Sequence, residues 1–412
     1  MKILFVIDSL YTSNNGTSIS AQRYASELRN RGHRVRALCS DRPADGQTIG
    51  GEKDFVCGVF HIPIFQPLCE KHDFRYAKVK MPLVRKACDW ADVVHVYVPF
   101  PLGIRCIKYC HETGKPVTAA FHVQPENITS SLGLGKVKWV NNMLYALFRR
   151  TTYNRVQHVH TPSQFIAGEL LKRDYTAQLH VISNGIHSDF IQAGKRKRLR
   201  AMTGNDKKTD DGLIRIMMIG RLSREKRQDV IINAVQYSKY ADRIQLVFAG
   251  RGPEYENYLE LSKQLKHAPE FLFLNRDELI DQLLNTDLYV HASDMEIEAI
   301  SCIEAFATGL VPVIANSKDS ATPQFALDER SLFEAGDPQS LARAIDYWMD
   351  HPEERKRMEQ RYADSGEKYS LSRSVTLFEQ MLYKAIEDTR RTQPQAHKQH
   401  LQPVRRKQKA TA

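Results

Sequence analysis

Short apolar runs alternate along the chain with longer stretches whose apolar positions recur at helical spacing. The chain opens on Lys2-Ile3-Leu4-Phe5-Val6-Ile7, which reads as a buried strand. A polar turn, Asn14-Asn15-Gly16-Thr17, leads into a helical pattern over about residues 18–31, and Gly32 stands where a helix-ending glycine is expected. Strand signals return at residues 35–39, 93–98, 117–121 and 158–161. Strands separated by helix-length segments predict βαβ units and a parallel sheet.

The pattern breaks over residues 194–211, where Gly194-Lys195-Arg196-Lys197-Arg198 and Thr203-Gly204-Asn205-Asp206-Lys207-Lys208 have the composition of an interdomain linker. It restarts at residues 214–219, 244–248, 271–274, 288–291 and 311–315. With 412 residues the chain is too long for one compact core. Two Rossmann-like, doubly wound parallel-sheet domains, 1–193 and 212–371, are therefore predicted to face a central cleft. Val375, Phe378, Met381, Leu382 and Ala385 mark a helix over 372–389 that is expected to pack back on the first domain. From Arg390 onward there is no acidic residue, and 390–412 reads as a basic disordered tail.

Composition narrows the setting. Hydrophobic residues make up 42% and charged residues 26%, ordinary values for a folded soluble protein. No apolar run reaches the ~18 residues of a membrane-spanning helix. Asp8 interrupts the apolar start and no small-residue cleavage site follows, so a strand is expected there and not a secretory signal. Seven cysteines without a CxxC pair suit a reducing cytoplasm. Cys106 and Cys110 sit one helical turn apart, but no second ligand pair accompanies them; structural thiols and no metal are expected. A net charge of +11 points to an anionic partner. Nucleotide diphosphate, nucleic acid and anionic lipid all satisfy charge alone, but the chain has no basic-aromatic RNA motif or zinc pattern, which argues against nucleic acid.

Candidate chemistry collects in the second half. The strand at 214–219 runs into Gly220-Arg221-Leu222-Ser223-Arg224-Glu225-Lys226, at the strand end that borders a ligand crevice in an open parallel sheet. Gly220 permits close backbone approach, and Arg221 and Lys226 can clamp phosphate oxygens or form a solvated loop pair. Further on, Glu296-Ile297-Glu298-Ala299-Ile300-Ser301-Cys302-Ile303-Glu304 spaces two glutamates by seven residues, ahead of Ala305-Phe306-Ala307-Thr308-Gly309-Leu310-Val311-Pro312-Val313. Backbone N–H groups at that helix start can bind an anion, and Glu304 can bind ligand or merely complement the helix dipole. In the first half, His122 follows the strand at 117–121. Alone it fits a core or loop histidine; its place at a strand's carboxyl end suits a crevice.

Taken in order, Gly-Arg-x-x-x-x-Lys, Gly250-x-Gly252-Pro253 and Glu-x7-Glu-Ala-x-Ala-x-Gly-x-x-Pro-Val resemble the large retaining GT-B glycosyltransferase family marked by the E-x7-E motif. The first half adds an early glycine loop before a long helix, Arg31-Gly32-His33-Arg34-Val35, Thr161-Pro162-Ser163 and Val181-Ile182-Ser183-Asn184-Gly185-Ile186. The match runs colinearly over about residues 1–385. The resemblance implies a GT-B fold, a UDP-sugar donor, retention of configuration and no obligatory metal or cofactor. It implies that Arg221 and Lys226 hold the donor diphosphate, Glu304 the ribose and Glu296 the sugar hydroxyls. Gly220, Gly250 and the backbone of Ala299, Ile300 and Ser301 would complete the donor site, with Gly16 and Thr17 closing on the phosphates and His122 facing the transferred sugar. Two departures stand out. The family's aromatic-glycine is Glu298-Ala299 here, which puts its loop shape in question because alanine restricts positive φ. The first loop has the single glycine Gly16, and the asparagines before it tolerate the turn.

For the acceptor, residues 133–155 interleave Lys136, Lys138, Arg149, Arg150 and Arg155 with Trp139, Leu144, Tyr145, Leu147 and Phe148. Such a helix suits an anionic membrane surface, or packs its apolar stripe on its own domain. The stretch 296–333 is most similar, within the family, to bacterial diacylglycerol glucosyltransferases. Lys136, Lys138, Trp139, Phe148, Arg149 and Arg150 are thus the membrane and acceptor candidates, with transfer of a hexose from a UDP-sugar to diacylglycerol at the inner face of the membrane. A soluble transferase acting on a sugar, small molecule or polysaccharide precursor is the alternative.

Overall fold

Apolar residues fill both faces of the strands, which a parallel sheet needs when helices cover it on both sides. Strand β1 (Lys2–Val6) is buried from Ile3 onward, and the same holds across β4 (Val93–Val96). The computed structural model describes residues 1–11, 16–41, 52–61, 75–131, 137–203 and 211–392. These fall into two units: 1–161 with 170–180 and the chain from 376, and 162–169 with 181–375.

In the first unit, β1 pairs in parallel with β2 (Arg34–Cys39) on one side and β4 on the other, in register Ile3↔Val35 and Ile3↔Val93. With β3 (Phe55–Val56), β5 (Val117–Ala120), β6 (His158–Thr161) and β7 (Gln178–Val181), the sheet order is β3-β2-β1-β4-β5-β6-β7. In the second unit, β8 (Ile214–Ile219), β9 (Ile244–Ala249), β10 (Glu270–Leu272), β11 (Leu288–His291), β12 (Pro312–Ala315) and β13 (Leu332–Phe333) run β10-β9-β8-β11-β12-β13. Strand order reverses between β1 and β4 and again between β8 and β11. Crevices open at the carboxyl ends of strands on either side of such a reversal.

Helix α1 (Gly16–Asn30) follows β1 and buries Ala21, Tyr24, Ala25 and Leu28. Helix α2 (Pro101–Thr113) buries Cys106 and Cys110, and Cys88 joins them. Hydrogen bonds with those two thiols lower the Cys88 thiol, at the expense of Cys106 and Cys110, which are raised. All six described cysteines are free and buried. Among the described residues no group of three His, Cys, Asp or Glu is placed to hold a metal.

Two expectations about the middle of the chain need correction. Residues 162–169 and 181–193 belong with the second unit. The charged stretch from 194, read as the start of a linker, is the second half of helix α4 (Ser188–Met202), α3 being Lys138–Thr151. The helix is docked tightly: a Cβ on Gly194 would lie 2.2 Å from the Ala307 carbonyl oxygen. Lys197 is buried and donates to the Gly309 carbonyl at 2.9 Å. Lys195 and Arg198 are exposed and paired with Glu367 and Asp364 at 2.8 and 3.8 Å. The other basic residues, Lys195, Arg196, Arg198 and Arg200, line the solvent face of a packed helix. Residues 204–210 of the expected linker lie outside the described residues.

Helix α6 (Leu371–Thr392) covers the stretch read as helical. In the first unit its Phe378 ring meets Phe5, Tyr24 and His95 edge-on at 6.1, 5.2 and 4.7 Å. Glu379 takes Arg31 at 2.5 Å and His33 at 2.6 Å. The tail beyond 392 lies outside the described residues.

Candidate active site

The loop 220–226 leaves the carboxyl end of β8 and is stapled to the loop after β9. Leu222 N–H donates to the Arg251 carbonyl at 3.1 Å, and Glu254 N–H to that of Leu222 at 3.0 Å. This approach requires Gly250, where a Cβ would sit 2.0 Å from the Gly220 carbonyl oxygen. On the other side the loop is tied to residues 294–296, which follow β11. Asp294 N–H donates to the Glu225 carbonyl at 2.9 Å, and Arg227 pairs with Asp294 at 3.3 Å. Met295 and Glu296 form a short parallel ladder with Asp319 and Ser320, so the Glu296 backbone is held from both flanks.

At the centre, Lys226 Nζ contacts Glu296 Oε1, with the two side chains 20% and 12% exposed. His291 Nε2 lies 3.0 Å from the same oxygen. Burial alone would raise the Glu296 carboxyl, but Lys226 and His291 hold it well below the ordinary range. Burial lowers the His291 imidazole despite the neighbouring carboxylate, so the ring is neutral at pH 7. A buried carboxylate beside a cation, at a strand-order reversal, is an arrangement that can grip hydroxyls and neutralise phosphate together.

Beyond Glu296 the loop is pinned again. Ser163 Oγ donates to the Ile297 carbonyl at 2.6 Å. Asn184 donates to Glu298 Oε2 from its backbone N–H at 2.9 Å and from Nδ2 at 2.7 Å. Glu298 is buried, and burial pushes its carboxyl up to about 7 against the hydrogen bonds from Ser183 and Asn184. Ala299 adopts φ +65°, so the left-handed turn that glycine would favour is kept with alanine in it. Helix α5 (Ile300–Ala307) starts directly after it. Ser301 lies in its first turn, whereas Glu304 is one turn further in and buried, away from the position that complements a helix dipole. Left-handed alanine costs about 1–2 kcal/mol, part of which the lower unfolded-state entropy of alanine returns. Ala299→Gly should raise stability by about 0.5–1 kcal/mol, read from the urea midpoint; a lower midpoint would mean that packing of the methyl outweighs the strain.

The other sequence-predicted residues are placed as follows. Arg221 is half-buried in the loop after β8, and its carbonyl accepts Gln228 Nε2 at 2.9 Å. Gly16 and Thr17 open α1 in the first unit. His122, just past β5, is buried and stacked on Tyr97 at 5.5 Å. Burial and His160 lower its imidazole well below the usual value, and among the described residues its Nε2 has no hydrogen-bond partner. On α3, Phe148 corrects an expectation: it is buried at the inner face together with Tyr145 and Asn141. Arg149 is tied down, donating to the Arg173 carbonyl at 2.7 Å and pairing with Asp174 at 3.2 Å. The apolar side chains that reach solvent are Trp139, Met143 and Leu147, at 70%, 56% and 51% exposure. Lys138 and Arg150 are exposed beside them, and Lys136 lies outside the described residues.

The sequence reading missed His291, Tyr289, Arg227 and Asp294. A polar residue ending the apolar run 288–291 was the one available signal for His291.

Comparison with known proteins agrees with this architecture. Residues 14–190 match the family model "Glycosyltransferase Family 4" and residues 203–364 the model "Glycosyl transferases group 1". An alpha-monoglucosyldiacylglycerol synthase of Streptococcus pneumoniae is 23% identical over 325 residues, covering 77% of this chain and 71% of that protein. The catalytic domain of cholesterol-alpha-glucosyltransferase from Helicobacter pylori is 48% identical, covering 38% of this chain and 99% of that domain, with a TM-score of 0.37. Anabaena HepE, solved in complex with UDP, superposes with a TM-score of 0.70 at 16% identity, over 93% of this chain and all of that one, 100%. With one family model over each half and a parallel α/β unit under each, the chain belongs to the GT-B glycosyltransferases.

Proposed function

We propose that the chain transfers glucose from UDP-glucose to the hydroxyl of diacylglycerol, with retention of configuration, as a peripheral protein on the cytoplasmic face of a membrane. The observation that carries this is the largely buried Lys226–Glu296 pair beside the β8/β11 reversal, within the group 1 domain. In this reading Arg221 and Lys226 neutralise the donor diphosphate, Glu296 takes the sugar hydroxyls and Glu304 the ribose. The backbone N–H groups of residues 299–301 at the start of α5 add an anion-binding end. Gly16, Thr17 and His122 are assigned to the donor by family resemblance. The anomeric C–O bond breaks, and the diphosphate leaves with its electron pair. It accepts the proton of the acceptor hydroxyl as that oxygen bonds the same face of the sugar. UDP in the HepE complex and the diacylglycerol product class of the pneumococcal relative support the choice of substrates.

Among the described residues no helix is long and apolar enough to cross a membrane. The exposed Trp139, Met143 and Leu147 recur every four residues on α3 beside Lys138 and Arg150, the layout of a helix that lies in a lipid interface. The test uses vesicles of phosphatidylglycerol and phosphatidylcholine carrying diacylglycerol, or cholesterol in its place. Trp139→Ser with Met143→Ser should reduce flotation with the vesicles about tenfold, since each buried apolar side chain contributes about 1.5–3 kcal/mol shared between lipid and water. Transfer to a short-chain, dispersed diacylglycerol should remain. Equal flotation of variant and wild type removes the membrane assignment. Transfer to cholesterol alone replaces the acceptor, and efficient transfer to a free sugar without vesicles favours a soluble enzyme.

A further inference from the structure

We propose that a buried relay, Tyr289–His291, supports the hydrogen that His291 gives to Glu296 and thereby leaves one Glu296 oxygen, Oε2, for the donor sugar. The last step rests on the reading of Glu296 as the sugar-binding carboxylate; the relay itself does not. Tyr289 and His291 are two residues apart on β11, so both side chains leave the same face of the strand. Both are fully buried, with rings 6.0 Å apart and inclined by 30°.

Each imidazole nitrogen has one partner. Nε2 faces Glu296 Oε1 at 3.0 Å, and Nδ1 faces the Tyr289 hydroxyl at 3.1 Å. The ionised carboxylate can only accept, so Nε2 carries the hydrogen. Nδ1 of the neutral ring then presents a lone pair, and the Tyr289 hydroxyl is the donor that fills it. The phenol hydrogen has two acceptors in reach, His291 Nδ1 at 3.1 Å and Ser301 Oγ at 3.3 Å; the nearer takes it, and the Ile219 backbone N–H supplies the phenol oxygen. Donation therefore runs from the Tyr289 hydroxyl to His291 Nδ1, and from His291 Nε2 to Glu296 Oε1.

The consequence falls on Glu296. Oε1 receives both Lys226 and His291, while no described residue donates to Oε2. The two oxygens thus divide the work: one anchors the carboxylate, the other is open to a ligand hydroxyl. Without the tyrosine hydroxyl the Nδ1 lone pair is buried and unpaired, the ring loses its fixed orientation, and the Nε2–H bond to Glu296 weakens, leaving Oε1 to Lys226. His291 and Tyr289 are positioning residues, since neither touches the sugar.

The experiment compares Tyr289→Phe, His291→Gln and His291→Asn with wild type. Tyr289→Phe removes one oxygen from a buried ring and should raise KM for UDP-glucose about tenfold, leaving the Kd of UDP, which has no sugar, within twofold. Glutamine places an N–H where Nε2 stands and should keep KM within threefold, whereas asparagine falls short and should resemble the tyrosine variant. A merely structural role would move UDP and UDP-glucose together. Wild-type KM in both Tyr289→Phe and His291→Asn overturns the proposal. A ligand-free readout separates it from the function. In protein labelled with ¹⁵N-histidine, the signal lost in His291→Gln should show a pyridine-like Nδ1 and a pyrrole-like Nε2, and the Nδ1 signal should shift in Tyr289→Phe as its hydrogen bond is lost. The reverse tautomer in wild type overturns the relay; the expected tautomer in a protein that binds no UDP-glucose upholds the relay and removes the donor reading.

Discussion

Lys226→Ala is expected to lower kcat/KM for UDP-glucose about a thousandfold. One preorganised charge acting on a developing negative charge contributes about 10²–10³ in rate. A second loss adds to it, because Lys226 is the cation of a largely buried pair. Removing one partner of such a pair costs about 3–5 kcal/mol, as the other charge is left in a poor solvent. In the variant, burial faces only His291, so the Glu296 carboxyl rises from its depressed value. The sign follows. In wild type this carboxylate adds stability above its unfolded-state value, which is lost as pH falls through the lower folded value. In the variant that contribution shrinks, and the urea midpoint should drop most at neutral pH. Lys226→Ala with Glu296→Ala should recover much of the stability and none of the activity, because the buried charge is gone but so is the grip. Less than a fivefold fall in kcat/KM for the single variant would remove Lys226 from the site.

The parts of this site that lie on strand ends were legible in the sequence. The runs at 214–219 and 288–291 announced their strands; the rule that ligands sit past the carboxyl ends of parallel strands pointed to Arg221 and Lys226, while Glu296 came from the family resemblance. Helix faces were less legible. On α3, Trp139, Met143 and Leu147 recur at helical spacing, and so do Asn141, Tyr145 and Phe148; spacing cannot say which stripe is inside, and the structure buries the second. The stretch 194–202 has a linker's composition because most of its cations face water, while the contact that fixes the helix is made by a residue with no side chain, Gly194. Long-range polar ties left no trace at all. Asn184 and Glu298 are 114 residues apart in sequence, and neither residue type announces the other.

That tie sets the second large effect, a stability that depends on pH through Glu298. Its carboxyl is fully buried and pushed up to about 7, from an ordinary 4.5, by burial that the hydrogen bonds from Ser183 and Asn184 only partly offset. Among the described residues Oε1 has no hydrogen-bond partner, so protonation there breaks no bond in the folded state. The folded protein therefore holds this proton more tightly than the unfolded chain does. The resulting stability is fully present below about pH 4.5 and is lost as pH rises through about 7. The gap between those values corresponds to about 3 kcal/mol. Glu298→Gln keeps an oxygen to accept both Asn184 N–H groups but cannot ionise. Variant and wild type should unfold at similar urea concentrations near pH 5, and the variant should be the more stable by up to about 3 kcal/mol at pH 8. Asp8, buried in the first unit and pushed up to about 7 by the same cause, titrates over the same interval in both proteins and cancels in the comparison. Parallel stability curves for the two proteins between pH 5 and pH 8 would show that Glu298 is ionised in the fold at neutral pH, with its charge compensated by more than Ser183 and Asn184.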